Sequence, residues 1–306
     1  MTDSITAEKG APLSSRARDH RQRQTLEAAL RQARYEVLPL DGTAAQVLEH
    51  VPKDVSVTVT ASPRRGLDAT LALSETLARD GYRVVPHLAA RLVVDDAHLR
   101  ETLQRIDEVG IADVFLVSGD GEPVGDFRDS LGLLTAMHRH RSAGLVQHLQ
   151  RVGVTGYPEG HPLVPDEQLT EALRAKQPMS TYMVSQLCFD ARAVSAWVRR
   201  MRQSGISLPL LPGVAGVVEQ RKLLRVAQRI GVGQSARFLR KHRGIGRLLV
   251  PGGYRPDRLV RALAADLADQ TGGMAGLHVY TFGAVAATED WRRTALERLA
   301  GSTDDG

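Results

Sequence analysis

The sequence predicts an α/β protein, a single-domain (β/α)8 TIM barrel with extra helices before its last strand, and three observations carry that expectation. From Tyr35 onward, short apolar runs alternate with amphipathic stretches of helical period, the pattern of parallel βαβ units. The runs number eight, the count that closes such a barrel. Polar and ionisable residues gather at the C-terminal ends of the runs, where barrels of this kind place their chemistry. A doubly wound open sheet shows a similar alternation, so period by itself leaves that architecture open.

Taken in order, the chain starts with a polar arm and a basic stretch, residues 16–34, that reads as an exposed helix carrying Leu26 and Leu30. The candidate strands are 35–40, 55–61, 83–88, 114–119, 153–157, 182–189, 208–213 and 277–282. Between them, 67–80, 96–109, 127–152, 166–176, 191–204 and 217–230 carry apolar residues at three-to-four spacing and would form the outer ring. The connection from Gly231 to Gly273 is long for one step, and its pattern predicts two further helices, 236–242 and 256–271. Neither an internal repeat nor a low-complexity linker divides the chain. The expected organisation is an arm and helix over 1–33, a barrel over 34–300 and a disordered tail over 301–306.

Composition narrows the class. With 306 residues, 42% of them hydrophobic, the chain can bury a large core. Cys188 is the single cysteine, which excludes an internal disulfide framework and a cysteine-rich zinc site and favours a reducing compartment. No apolar run reaches the roughly 18 residues of a membrane span, and the N-terminus lacks the apolar core of a signal peptide, so a cytoplasmic protein without a metal site is expected. The net charge of +5 raises nucleic acid as a partner, but the arginines are spread along helical stretches. Aromatic residues make up 4%, too few for a base-stacking platform, and nucleic acid is not expected. Oligomeric state is not readable.

Several residues stand out by position. Glu36 lies within the first predicted strand, and a carboxylate facing a barrel interior acquires a raised pKa, which is how a general acid is made; facing outward, it would be a salt-bridge partner between helices. Thr58, His87, Asp120 and the run Tyr157-Pro158-Glu159-Gly160-His161-Pro162 fall at or near the ends of strands two to five. Asp120 sits in a Gly-Asp-Gly turn and His87 follows a proline, both also ordinary structural settings. Gln186, in an otherwise apolar strand, can read the edge of a heterocycle or satisfy backbone groups. The stretch from Pro212 to Gly216 reads as a glycine-bearing turn after strand seven, where barrels often hold phosphate, or as a plain tight βα turn. A Gly-x-Ser-x-Gly elbow, a Walker loop and a His-Glu-x-x-His motif are absent, and Gly231-Val232-Gly233 follows a helix rather than a strand, unlike a Rossmann turn.

From Tyr35 to Phe282 these landmarks resemble the methylenetetrahydrofolate reductase family: Tyr35-Glu36, Ser56-Val57-Thr58, Pro86-His87-Leu88, Gly119-Asp120, the Tyr157 to Pro162 run, Gln186 with Phe189-Asp190, and Leu211-Pro212-Gly213. The resemblance implies hydride reduction of 5,10-methylenetetrahydrofolate to 5-methyltetrahydrofolate with NADH or NADPH as donor. It implies Glu36 as the general acid, Asp120 as a carboxylate that contacts the pterin and tunes the redox centre, and Gln186 as a folate-binding residue. Thr58, His87, Tyr157, His161 and Lys176 fall where the family surrounds its flavin.

The departures cluster on the flavin side. Ser118 stands where the family has arginine before Gly-Asp, Leu169 where it has an acidic residue, and Gln177-Pro178-Met179-Ser180 where it has an Asp-Ala-Gly-Ala pattern. On the folate side the last strand ends Tyr280-Thr281-Phe282-Gly283-Ala284 without the expected asparagine and arginine, and an aromatic of the mouth aligns near Val226. The chain is thus similar to the flavin-free actinobacterial branch of the family, which implies direct transfer from the nicotinamide to the folate and no bound FAD. The retained flavin-side residues keep an FAD-dependent reductase as the alternative, and the departures keep a folate-binding barrel that has lost catalysis.

Overall fold

A computed structural model describes residues 15–219, 221–223, 225, 254–269 and 272–301. The predicted helix 236–242, Gly231-Val232-Gly233, Val226 and the tail after Gly301 lie outside the described residues, as does most of the arm. Eight parallel strands close into a barrel in sequence order, β1 (Arg34–Val37), β2 (Ser56–Val59), β3 (Val84–Ala89), β4 (Asp113–Val117), β5 (Arg151–Gly156), β6 (Tyr182–Leu187), β7 (Leu210–Ala215) and β8 (His278–Tyr280). β8 pairs with β1 through Arg34 and His278, Tyr35 and Val279, and Glu36 and Tyr280, which removes the open-sheet alternative.

Helices wrap the outside: α1 (Ser15–Arg31), α2 (Thr43–His50), α3 (Gly66–Arg79), α4 (Asp96–Glu108), α5 (Ser130–Ser142), α6 (Asp166–Lys176), α7 (Ala191–Gln203), α8 (Asp257–Ala268) and α9 (Val285–Gly301). Leu99, Leu103 and Ile106 of α4 and Val194, Val198 and Met201 of α7 repeat at helical spacing and are buried against the strands. The first half of α1 is solvated, but Leu26, Ala29 and Leu30 near its end are buried, and the helix packs on α8 and α9.

Three expectations need correction. The helix foreseen over 127–152 ends at Ser142, because Gly144 takes a left-handed φ of 78°. Its N–H bonds Arg141 O and that of Leu145 bonds His140 O, a Schellman closure; Val146 and Leu149 continue the apolar period as buried loop. The glycine-bearing turn at 212–216 is mostly strand, since β7 runs to Ala215. Gly213 is needed there because a Cβ would come within 2.4 Å of Ser185 O and 2.7 Å of the Tyr280 ring. In the foreseen helix 217–230, Val218 instead forms an antiparallel bridge with Tyr254, and helix begins at 221 among the described residues.

Candidate active site

Paired residues of neighbouring parallel strands share a face of the sheet, so register decides what fills the barrel. At the N-terminal end the filling is a polar floor. Arg34 donates to Tyr182 Oη (2.7 Å) and to Asp113 Oδ2 (2.8 Å), while the Tyr182 hydroxyl donates to Asp113 Oδ1 (2.8 Å). The guanidinium of Arg34 also lies 4.4 Å from the Tyr182 ring centroid. Gly153 leaves room for that ring, since a Cβ there would meet it at 2.4 Å.

Toward the strand C-termini, Glu36 points inward. Its Oε2 lies 3.0 Å from His278 Nε2 and 3.7 Å from His87 Nε2, and Thr58 is its partner on β2. Burial lifts the Glu36 carboxyl to about 6, a shift that His87 opposes. Burial holds His87 down at about 4, with Glu36 working against the shift and His278 adding to it. His278 is held near 3 by burial and then by the charge of Arg34. Both imidazoles are therefore neutral at neutral pH, while the Glu36 carboxyl is held closer to neutral pH than an ordinary carboxylate. Over this cluster Tyr280 donates to Ser185 O (3.0 Å) and stacks on Phe282.

A second group gathers at the ends of β4 and β5. Tyr157 and His161 meet edge to face at 5.1 Å, and the negative charge of Asp120 acts on both, raising their pKa values. Burial dominates each site, so Tyr157 ends above its ordinary value and His161 below. The Asp120 loop is held by Arg91, which donates to Gly121 O (2.9 Å) and Arg128 O (3.1 Å). Glu159 is structural: its Oε1 accepts from Phe189 N and Asp190 N, tying the Tyr-Pro-Glu run to the end of β6. Asp190 in turn caps α7 through Arg192 N.

Of the other two candidates, Gln186 has no hydrogen bond with these groups among the described residues, and Lys176 meets only Tyr157 of them. Gln186 folds onto its own strand, Oε1 accepting from Leu187 N (2.8 Å) where the β6–β7 register shifts. Lys176 closes α6, nearly buried, its pKa lowered by burial against the pull of Asp129, and shares with Tyr157, Leu169 and Arg200 a cavity of about 60 Å³. Sequence reasoning missed His278, the nearest partner of Glu36. The available signal was its two-residue spacing from Tyr280 in the last strand, combined with closure of that strand on the first. Burial raises the Cys188 thiol well above its ordinary value, which suits a packed residue rather than a nucleophile. Among the described residues no cluster of three or more His, Cys, Asp or Glu could hold a metal ion, and no helix is long and apolar enough to cross a membrane.

A closed parallel barrel holding a largely buried carboxyl beside two imidazoles that burial keeps neutral defines the class: a (β/α)8 barrel with an ionisable cluster in its interior. The profile of the methylenetetrahydrofolate reductase family matches residues 35–245, and the chain belongs to that family. Among curated relatives, a probable methylenetetrahydrofolate reductase (NADPH) of Caenorhabditis elegans is 24% identical over 140 residues, 42% of this chain and 20% of that protein. Methylenetetrahydrofolate reductase 1 of Schizosaccharomyces pombe is 27% identical over 143 residues, 42% of this chain and 22% of that protein. The matched stretch thus spans about a fifth of these relatives' length. Two solved structures share the fold alone. One is a 2,3-dimethylmalate lyase of the PEP mutase/isocitrate lyase superfamily, at 15% identity over 96% of this chain and 89% of that one, TM-score 0.50. The other is oxaloacetate acetylhydrolase in complex with oxalate, at 14% identity over 94% and 89%, TM-score 0.51.

Proposed function

We propose that this chain reduces 5,10-methylenetetrahydrofolate to 5-methyltetrahydrofolate, taking hydride from NADH or NADPH. The observation that carries the reading is Glu36, a carboxyl held inside the barrel against His278, largely buried and lifted to about 6. In that state it delivers a proton to the folate, opening the methylene bridge to an electrophilic iminium. Asp120 supplies negative charge beside the pterin, and Gln186 offers its amide to the folate edge from the end of β6. Bound nicotinamide supplies the hydride, and the chain's part is to align donor and acceptor.

The reading extends to transfer without a bound flavin, on the state of the departed residues. The Ser118 hydroxyl, at the position of the family's arginine, accepts from Ser130 N (3.2 Å) at the start of α5. The amide of Gln177 is committed to Gly205 O and Ser207 N on the loop before β7, and Pro178 has no N–H to offer. Groups suited to a polar, anionic dinucleotide remain: Thr58 Oγ1 is buried without a hydrogen bond, and Lys176 is a nearly buried cation without an ion pair among the described residues. Tyr157, His161 and His87 are the further side chains proposed to hold it.

The test is the absorbance spectrum of the purified protein together with NADH oxidation driven by methylenetetrahydrofolate. A colourless protein that turns over is expected. Flavin bands would replace direct transfer with an FAD-dependent route, and the lack of folate-dependent oxidation would mark a barrel that has lost catalysis. Glu36→Gln should keep folate binding and lose reduction; undiminished turnover would remove Glu36 as the acid.

A further inference from the structure

Inside the barrel the proposed acid does not stand alone, and its two imidazole neighbours are not equivalent. His278 Nε2 is 3.0 Å from Glu36 Oε2, within hydrogen-bond reach, whereas His87 Nε2 is 3.7 Å from the same oxygen and has no hydrogen-bond partner. Oε1 of Glu36 takes no hydrogen bond among the described residues, and Glu36 keeps 16% of its side chain exposed. We infer that His278 is the positioning residue of this acid: it donates Nε2–H to Oε2 and so reserves Oε1 for the proton that the substrate receives. The inference rests on the reading of Glu36 as the acid.

The tautomer follows from satisfaction of buried groups. His278 is 1% exposed, and its Nδ1 is buried without a partner. A neutral imidazole carries one hydrogen. Placed on Nδ1, that hydrogen would be an orphaned buried donor, and the Nε2 lone pair would face a carboxylate lone pair. Placed on Nε2, it is bonded, and the orphan is an acceptor, the lesser cost. The ring is held in place by closure of the barrel, with Arg34 of β1 and Gly213 of β7 as its register partners and the Tyr280 ring packed edge to face, centroids 4.8 Å apart. The groups facing the pair are Arg34 on β1, Thr58 on β2, His87 on β3 and Tyr280 on β8.

When the proton passes from Oε1 to a folate nitrogen, negative charge appears on the carboxylate and the Nε2–H bond stabilises it. The same bond favours the ionised form beforehand, so it opposes burial and keeps the acid from being locked in its protonated state. His278 thereby sets both the orientation of Glu36 and the pH above which the proton is missing.

The kcat–pH profile for NADH-driven reduction of methylenetetrahydrofolate tests this. His278→Leu should lower kcat by roughly tenfold or more with the folate KM within about twofold, and move the alkaline limb upward by about one pH unit. His278→Gln, which keeps an N–H near the Nε2 position, should restore the limb. A folded His278→Leu protein with unchanged kcat and limb, alongside an inactive Glu36→Gln, would overturn the inference while leaving the acid in place; turnover by Glu36→Gln would instead remove the acid. A measurement on the unaltered chain does not depend on folding of variants or on activity: 15N shifts of the His278 ring should report hydrogen on Nε2, and hydrogen on Nδ1 would overturn the assignment.

Discussion

Tyr35 and Glu36 are neighbours on β1 that reach opposite worlds: the Tyr35 hydroxyl donates to Glu289 Oε2 on α9 at 2.9 Å outside the barrel, while Glu36 meets His278 at 3.0 Å inside it. Alternation along a strand makes this unavoidable. Glu289 is bonded in turn by Arg292 at 2.8 and 2.9 Å, and Arg292 reaches Leu30 O of the segment that packs under α9. One dipeptide thus anchors the C-terminal helix and presents the proposed acid.

The outer half of that relationship can be measured as stability. Glu289→Ala removes the acceptor of Tyr35 and the partner of buried Arg292, leaving an uncompensated charge, so it should cost about 3–5 kcal/mol in urea denaturation. Tyr35→Phe leaves the ion pair intact and should cost only about 1 kcal/mol. Equal costs would mean that the ion pair contributes nothing beyond the tyrosine bond.

The inner half predicts a pH-dependent sign. Folding raises Glu36 from its ordinary 4.5 to about 6, so the stability it contributes is fully present below the unfolded value and is lost as pH rises through about 6. The full loss is roughly 2 kcal/mol. His87 and His278, held down at about 4 and 3, act oppositely, their contribution lasting above about 6.5 and fading as pH falls. Comparing Glu36→Gln with the unaltered protein isolates the carboxyl. The variant should melt higher at pH 8, with the difference vanishing near pH 4, even though it loses turnover. A lower melting temperature at pH 8 would show that ionised Glu36 is not strained by burial.

Asp120 offers an electrostatic test independent of stability. Its charge raises the pKa of His161, so Asp120→Asn should lower the His161 titration midpoint seen by NMR and, if the proposed pterin contact holds, change kcat. No movement of His161 would place the carboxylate too far away to tune the mouth.

How much of this was legible in the sequence follows from which interactions are local. The eight strands and the inward carboxylate were legible, because alternation and strand ends are written in neighbouring residues. Helix α2 was not, since its eight residues bury Val47 alone and make too few turns to repeat an apolar spacing. The Glu36–His278 contact joins residues 242 positions apart and exists only once β8 closes on β1. The polar floor was invisible for the same reason, as Arg34, Asp113 and Tyr182 come from strands one, four and six. Gln186 shows the converse: its type suggested either recognition or satisfaction of backbone groups, and its position at a register shift turns one side of its amide to the backbone.

Gly213 links packing to the mouth. An added Cβ would press on the Ser185 carbonyl, which is backbone and cannot rotate away, and on the Tyr280 ring that donates to that same carbonyl. Gly213→Ala should therefore cost about 1–3 kcal/mol and lower turnover together, because the displaced ring lies next to His278. Full activity in a destabilised variant would separate Tyr280 from the site.

The floor gives the complementary case, stability without catalysis. Asp113 accepts from both Arg34 and Tyr182, and Arg151 lies 3.5 Å from it, so Asp113→Ala leaves two cations and a buried hydroxyl without their acceptor. A loss of about 3–5 kcal/mol is expected. Tyr182→Phe removes one hydroxyl, keeps the Arg34–Asp113 pair at 2.8 Å and preserves the ring under the guanidinium, so roughly 1–2 kcal/mol is expected. Because these groups lie at the N-terminal end of the strands, away from the mouth, Tyr182→Phe should retain kcat when assayed well below its melting temperature. Arg34 is the exception that sharpens the test: its charge helps hold His278 neutral, so Arg34→Met should raise the His278 pKa as well as weaken the floor. A His278 titration unmoved by Arg34→Met would show the floor and the acid cluster to be electrically separate.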